Sequence, residues 1–549
     1  MRGRRAMLGA LSLSVGAAAC AGGPSSGSAP NVASSALPRT RAERTNYLET
    51  SHYDDVIAFL DSLKKLNAPL AFGSIGRTSE SREIPYVIAS RPLVHSPEEA
   101  RATGKPIVYV QGNIHAGEVE GKEALQALIR DLTFAQGRNV LDSIVLVAVP
   151  IYNADGNERF GPQARQRSEQ QGPELVGQRP NTMGPNGAGL DLNRDYIKAE
   201  APETRASLRM FALWNPDVFV DLHTTDGSLH GYALTYSPSL NPAAPLGDFT
   251  RDLLAEVRSR VRTRDGYETF DYGNFNDGGG REVSADTTHR GWYTYDHRPR
   301  FGTNYYGLRN RVSVLSEAFS HDPFERRVKS TYAFVSQLLS LVAERGARIQ
   351  QLARDADAMS AGESIALRSA LPASAPSAPV RFEILARTGD TLRTQAGLDR
   401  GLRRTGEIRT RDMPVFDRFV PTLVRPIPSM YVFSRSDTAL LARLRLHGIR
   451  TEESSDVRSP LEAFVVDSVV KSPRPFQGHN EVRLSGHWQQ LASSAGSMIV
   501  VRMDQPLRRL AAYLLDPESD DGLATWNFFD GSLAVGRPYP VMRVAAGKR

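Results

Sequence analysis

A chain of 549 residues and 60.2 kDa is several times the roughly 150 residues of an ordinary domain, so it holds two large units or three to four smaller ones. Hydrophobic residues at 40% and charged ones at 23% exclude disordered, collagen-like and multi-pass membrane classes and describe a soluble globular protein. The 67 Lys and Arg against 61 Asp and Glu leave +6, part of it from Arg2, Arg4 and Arg5, and without any basic block this excludes nucleic acid as a partner.

In chain order, the basic start is followed by an uncharged stretch from Ala6 and small residues to Ala19, the layout of an export signal. That stretch is shorter than the roughly 20 apolar residues a membrane helix needs. Cys20, the single cysteine, follows Ala17-Ala18-Ala19 in a setting similar to a bacterial lipoprotein box, although Ala stands where Leu is usual. Residues 1–20 are therefore read as a signal peptide with a lipoprotein cysteine, plain cleavage after Ala19 staying open, and Arg4-Arg5 weakly resembles a twin-arginine signal. The expected location is the bacterial cell envelope, as a periplasmic protein or an outer-membrane lipoprotein anchored through Cys20, or secretion. A lone cysteine excludes an intrachain disulfide. Residues 21–44 begin Gly/Ser/Ala/Pro-rich and suit a flexible tether.

Residues 45–346 alternate strand and helix signals. PIVYVQG (106–112), SIVLVAVP (143–150), DVFVDLH (217–223) and VSVLSEA (312–318) are near-continuous apolar runs, as in strands covered on both faces. Helical periodicity marks Glu118 to Leu132, Leu246 to Val261 and Phe324 to Val342, while 161–190 and 266–301 read as long irregular segments of the functional kind. The pattern predicts an α/β fold, a mixed and largely parallel sheet flanked by helices. Residues 347–379 are expected to be helix and then a Pro/Ala/Ser linker. Residues 380–549, with strand signals in FEILA, MYVFS, AFVVDSVV and SMIVVRM and helices at Asp437 to Leu446 and Pro506 to Leu515, form a smaller α+β accessory domain.

Candidate chemistry gathers at strand ends. His115 and Glu118 stand three residues apart just beyond the first of these strands; the similar pair His95 and Glu98 is explained by Ser96 capping a helix that starts at Pro97. DVFVDL ends in His223, giving two imidazoles and a carboxylate, one of the known three-ligand sets of a catalytic zinc with an open fourth position. VSVL ends in Ser316-Glu317, and open α/β sheets bind ligands at the carboxyl ends of their strands. In GLDLNRD, Asn193 and Arg194 suit a terminal carboxylate, because the guanidinium offers a bidentate fork and the amide a single donor; a loop Arg paired with Asp191 or Asp195 is the plainer reading. His230 falls in the loop after its strand and is a weaker ligand candidate.

The set GNIHAGEVEG, NADG, GLDLNRDY, DLHTTDG and LSEAF resembles the zinc carboxypeptidase family, the carboxypeptidase A-like metallopeptidases, over roughly residues 45–346. The resemblance implies one Zn2+ held by His115, Glu118 and His223, Glu317 as general base, and Asn193 and Arg194 on the C-terminal carboxylate of a peptide or protein substrate. It implies an Arg that polarises the scissile carbonyl, here Arg179 with Arg167 second. It also implies a mobile substrate-binding Tyr between His223 and Glu317, for which Tyr295, Tyr305 and Tyr306 qualify and Tyr295 fits best by its distance from Glu317. The His223-to-Glu317 interval is longer than the family's, which opens the specificity pocket to Arg309, Arg311 or the Gly-rich loop Asn276–Gly280.

The implied function is an exported zinc-dependent metallocarboxypeptidase. Two alternatives stay beside it: a zinc amidohydrolase or deacylase acting on cell-wall peptides or N-acyl amino acids, and an inactive surface binding module. In the C-terminal region, LLDPESDDGLATWNFFDG (514–531) reads as a packed turn with solvated acids, or as a carbohydrate or calcium contact.

Overall fold

The computed structural model describes residues 32–159, 190–225, 228–241, 246–275, 290–358, 363–388, 402–455, 457, 460–491 and 496–546. The leader with Cys20, Arg167, Arg179 and the loop Asn276–Gly280 lie outside the described residues. Among the described residues no helix is long and apolar enough to cross a membrane.

The first part of the chain lays down β1 (Leu70–Arg77), β2 (Glu83–Ala89), β3 (Ile107–Gly112), β4 (Val145–Val149), β5 (Val218–Thr224), β6 (Leu234–Pro238), β7 (Thr269–Asp271), β8 (Trp292–Tyr293) and β9 (Val312–Ala318). All but β8 join one mixed sheet in the order β1-β2-β4-β3-β5-β9-β6-β7. Its centre, β4-β3-β5-β9, is parallel, and antiparallel pairs close both flanks. Every residue of these four central strands is buried, which is why they read as unbroken apolar runs. Alternate side chains serve opposite layers. Val108 and Val110 pack with Leu125 and Leu338 of helices Glu120–Phe134 and Phe324–Ala358, while Tyr109 and Phe219 pack with Phe211 and Tyr306 of helices Pro202–Trp214 and Gly302–Leu308.

Local signals set the helix ends. Ser96 accepts a hydrogen bond from Glu99 N and starts Pro97–Ala102, as its sequence suggests. Helix Pro202–Trp214 has Pro at its start and Asn215 in the left-handed region at its end. Helix Phe324–Ala358 runs well past Val342, because Gly346, Ile349, Ala353 and Ala356 continue its buried face.

The C-terminal region is β-rich. β10 (Ser364–Ala370) pairs with β13 (Val420–Pro426), and β11 (Ser377–Arg387) with β12 (Leu402–Phe416). β14 (Met430–Ser434), β15 (Glu452–Ser454), β16 (Leu461–Lys471), β17 (Val482–Leu491), β18 (Met498–Arg502) and β19 (Met542–Val544) form a second sheet in the order β15-β18-β14-β19-β16-β17. Both ends of the stretch expected as a linker, 369–379, lie in β10 and β11. The two parts of the chain share structure: β12 pairs in parallel with β8, and one buried cluster runs from Tyr109, Phe211 and Tyr305 through to Leu510, Tyr513 and Trp526.

Candidate metal centre

β3 ends where Asn113 takes a positive φ of 66°, a conformation Asn tolerates, and its Nδ2 donates to Ala116 O at 3.1 Å. Asn153 of the NADG segment braces the turn, donating from Nδ2 to Ile114 O at 2.9 Å and capping Gly156 N at 3.0 Å. The chain is thereby folded back so that His115 and Glu118 face the end of β5. Gly121 permits the approach: a Cβ there would stand 2.6 Å from Leu222 Cβ, one residue from His223.

Three donors converge. Nδ1 of His115 lies 3.0 Å from Glu118 Oε1, and Nδ1 of His223 lies 2.8 Å from Glu118 Oε2, with all three ligand atoms within 4.8 Å of one another. Thr224 N donates to Glu118 Oε2 at 3.2 Å. Each imidazole turns its other nitrogen to a carboxylate: His115 Nε2 lies 3.1 Å from Asp191 Oδ1, and His223 Nε2 lies 3.0 Å from Asp221 Oδ2. A carboxylate on the outer nitrogen fixes the tautomer and points the inner lone pair at a metal, the pattern of histidine-ligated zinc. Two imidazoles and a carboxylate with further positions open fit zinc in a catalytic setting.

Burial works against charge at this centre and the partners outweigh it. Burial would lower the His115 imidazole, yet Glu118 and Asp191 raise it to about 9. His223 is likewise raised well above its ordinary value, by Asp221 and Glu118 against burial. Burial would raise Glu118, but the two imidazoles hold it far below the usual carboxylate range. Asp191 is also held low, burial being overcome by Arg194 and His115. A divalent cation would take over this donor set by displacing imidazole protons.

Glu317 lies beside the centre. It pairs in register with His223 across the parallel β5 and β9, so both side chains leave the sheet on the same side. Tyr295 is half-buried between Tyr272 and Phe301, with ring centroids at 5.5 and 5.3 Å, and donates to Asn304 Oδ1 at 3.3 Å. Burial, then the charges of Glu317 and Asp221, push its phenol up, which puts it in the field of the site. The other two tyrosines do not reach the centre: Tyr305 OH meets His447 Nδ1 at 2.8 Å, and Tyr306 OH meets Ser207 Oγ at 2.9 Å inside the core.

Asn193 and Arg194 sit on a short 3-10 turn, Leu192–Arg194, started by Asp191, whose Oδ1 accepts from Asn193 N at 2.9 Å. Asn193 Oδ1 accepts from Gly302 N at 2.9 Å, which leaves its Nδ2 facing His223 Nε2 at 3.5 Å. The Arg194 guanidinium lies 3.9 Å from the centre of the Phe301 ring, a cation–π contact, and its side chain stays a quarter exposed. Asp191 is thus shared between His115 and the Asn193 turn, tying the metal ligands to the candidate clamp.

Several sequence candidates stand elsewhere. His230 is buried against Phe319, its backbone pairs with Phe382, and burial and His321 lower its imidazole to about 3. Arg309 and Arg311 do not line a pocket at the centre: Arg309 donates to His447 O at 2.7 Å, and Arg311 pairs with Asp357 at 2.9 Å, so both are consumed by internal contacts. The stretch 514–531 is a packed turn as expected, but the acids Asp516, Glu518 and Asp521 are buried and not solvated, because each has an internal partner: Asp521 is bonded to Arg300, Glu518 to Arg425 and Asp516 to Tyr431. Sequence reasoning passed over Asp221 as a partner of His223 and Phe301 as the platform under Arg194. The signal for Asp221 was present, since residues two apart on a strand share a face. Nothing in the sequence pairs Phe301 with Arg194.

The family model for zinc carboxypeptidases matches residues 56–303. Carboxypeptidase 2 of Trichophyton tonsurans is 23% identical over 509 residues, spanning 85% of this chain and 81% of that protein. Carboxypeptidase 2 of Trichophyton rubrum is 22% identical over 533 residues, spanning 88% and 85%. Among solved structures, a metallo-carboxypeptidase from Burkholderia cenocepacia is 18% identical with a TM-score of 0.40, over 54% of this chain and 70% of that one.

Proposed function

We propose, from the match of residues 56–303 to the zinc carboxypeptidase family model, that this chain removes C-terminal residues from peptides or proteins outside the cytoplasm. The observation that carries the reading is the convergence of His115, Glu118 and His223 on one point, with Glu317 in register beside His223.

His115, Glu118 and His223 would hold zinc, which would supply Lewis acidity at the scissile carbonyl and lower the pKa of water toward neutrality. Glu317 is the general base: its carboxylate takes the proton of the attacking water and returns it to the leaving amine nitrogen. Arg194 grips the substrate's terminal carboxylate with its fork and Asn193 Nδ2 adds a third donor, so only the last peptide bond lies within reach of Glu317. Tyr295 packs beside them and excludes water from the bound chain end. Arg179, outside the described residues, is assigned to the developing oxyanion on the family resemblance. The Asp191 and Asp221 carboxylates keep the imidazoles oriented. The sequence of residues 1–20 supports export, with attachment to the envelope through Cys20.

The test is a mixed peptide pool incubated with the zinc-loaded protein and read by mass spectrometry. Stepwise shortening from the C-terminus is expected, abolished by a chelator and restored by zinc, while C-terminally amidated peptides resist. Internal cleavage, or release of acyl groups without C-terminal shortening, would overturn the reading in favour of another amide hydrolase.

A further inference from the structure

The acidic turn after residue 514 and the hairpin turn between β16 and β17 belong to the C-terminal region, yet both reach the segments that carry Asn193 and Arg194. Asp521 is fully buried, and its two oxygens take Arg300 from both sides, Oδ2 accepting from Arg300 N at 2.7 Å and Oδ1 from Arg300 Nε at 2.9 Å. Trp526 completes the seat: its Nε1 donates to Asp521 Oδ1 at 3.0 Å, and the Arg300 guanidinium lies 4.5 Å from its ring centre. The two residues that follow Arg300 are Phe301, under Arg194, and Gly302, whose N–H holds Asn193 Oδ1. From the other side Gln477, at a positive φ of 51° in the β16–β17 turn, accepts through Oε1 from Asp191 N at 2.8 Å. Two residues on, His479 Nε2 contacts Glu200 at 3.0 Å and its Nδ1 contacts Asn527 at 3.1 Å, so the same turn is bound to both parts of the chain.

We propose that Asp521 and Gln477 are positioning residues for the carboxylate clamp, which makes the C-terminal region a component of substrate recognition and not an appendage. This rests on the reading of Asn193 and Arg194 as that clamp. A buried Arg–carboxylate pair is a poor source of net stability, because an apolar replacement of the same volume often matches it. It is a good source of fixed geometry, since one carboxylate holds both the backbone N–H and the side-chain Nε of Arg300. Clamps of this kind tolerate only about half an ångström of error, and a displacement of about 1 Å imposed from a distance can cost about 100-fold in rate.

The experiment uses the full zinc-loaded chain with one peptide as its free acid and as its C-terminal amide, and measures KM and kcat separately, with zinc content and Tm alongside. Wild type is expected to prefer the acid strongly. Gln477→Ala, at a half-buried residue of a largely exposed turn, should raise KM for the acid about 10-fold with kcat changed far less, and Asp521→Asn should erode the acid-to-amide preference further, toward about 100-fold. Zinc content should stay at the wild-type level in both. A folded, zinc-replete Gln477→Ala protein whose acid-to-amide ratio equals that of wild type overturns the proposal, as do equal losses on acid and amide. Wild type with no preference for the acid defeats the clamp reading itself, a separate result visible before any variant is compared.

Discussion

At the carboxyl ends of β3 and β5, three donors, His115, Glu118 and His223, are aimed at a single point. Where the start of β10 meets helix Arg508–Leu515, the part-buried Glu363 answers two buried arginines, its Oε2 accepting from Arg508 Nη2 at 3.0 Å and its Oε1 from Arg509 Nη1 at 2.6 Å. Both clusters are ionisable and largely buried, His115 and Glu363 being their part-exposed members. They differ in sign: the first collects electron-pair donors, with further carboxylates behind its imidazoles, and invites a cation, while the second is already a complete set of opposites. Burial of charge therefore does not mark a site in this molecule; convergence of like donors does.

The comparison breaks most visibly at Glu317. Glu317→Gln is expected to lower kcat by about a thousandfold, within the usual range for a general base, while bound zinc stays at one per chain. Loss of zinc together with activity would make Glu317 part of the metal set. The complementary cluster gives the second largest effect. Glu363→Ala leaves Arg508 and Arg509 buried without their carboxylate, and a loss of about 3 kcal/mol in unfolding free energy is expected from denaturant titration, with zinc stoichiometry of the folded fraction unchanged. A shift below about 0.5 kcal/mol would show that water reaches these guanidinium groups and that the cluster is not closed.

Asp221 lies between the two behaviours, a buried acid that completes a ligand and does not touch the metal point. Asp221→Asn should weaken zinc binding by about 10- to 100-fold, read by competition with a chromogenic chelator, because the His223 tautomer is no longer enforced. Unchanged affinity would show that the Asp221 carboxylate does not set the His223 tautomer.

How much of this was legible follows from the range of each interaction. The central strands and the His115-x-x-Glu118 pair announce themselves because unbroken apolar runs and a three-residue spacing are local. That His223 and Glu317 share one edge could be expected from strand ends, since parallel strands covered on both faces gather their carboxyl ends on one side, but the sheet order that makes β5 and β9 neighbours could not. Arg309 and Arg311 misled because an arginine near a site reads the same whether it faces a substrate or Asp357, and only tertiary packing decides. The reach of Asp521 to Arg300 and of Gln477 to Asp191 joins residues more than two hundred positions apart, and no periodicity carries that information.

The smallest effect tests the complementary side of the comparison through pH. His447 is buried, accepts from Tyr305 OH at 2.8 Å through Nδ1 and lies 3.2 Å from Ile197 O through Nε2, a bonding pattern that suits the neutral ring. Burial, then the facing charges of Arg443 and Arg309, lower it to about 3 from an ordinary value of 6.5. The unfolded chain takes up this proton near pH 6.5 while the folded chain refuses it until about pH 3. The stability tied to the neutral ring is thus complete above pH 6.5 and drains away as the pH falls toward 3, by about 1.4 kcal/mol per pH unit. His447→Asn, which keeps an acceptor and a donor but cannot titrate, is expected to be less stable than wild type at pH 7.5 and to close that gap as the pH is lowered to 5. Unfolding free energies at those two values decide it. A gap that stays constant with pH would mean that the folded protein accommodates a charged ring between two arginines, and that this part of the core is more permeable to water than its packing implies.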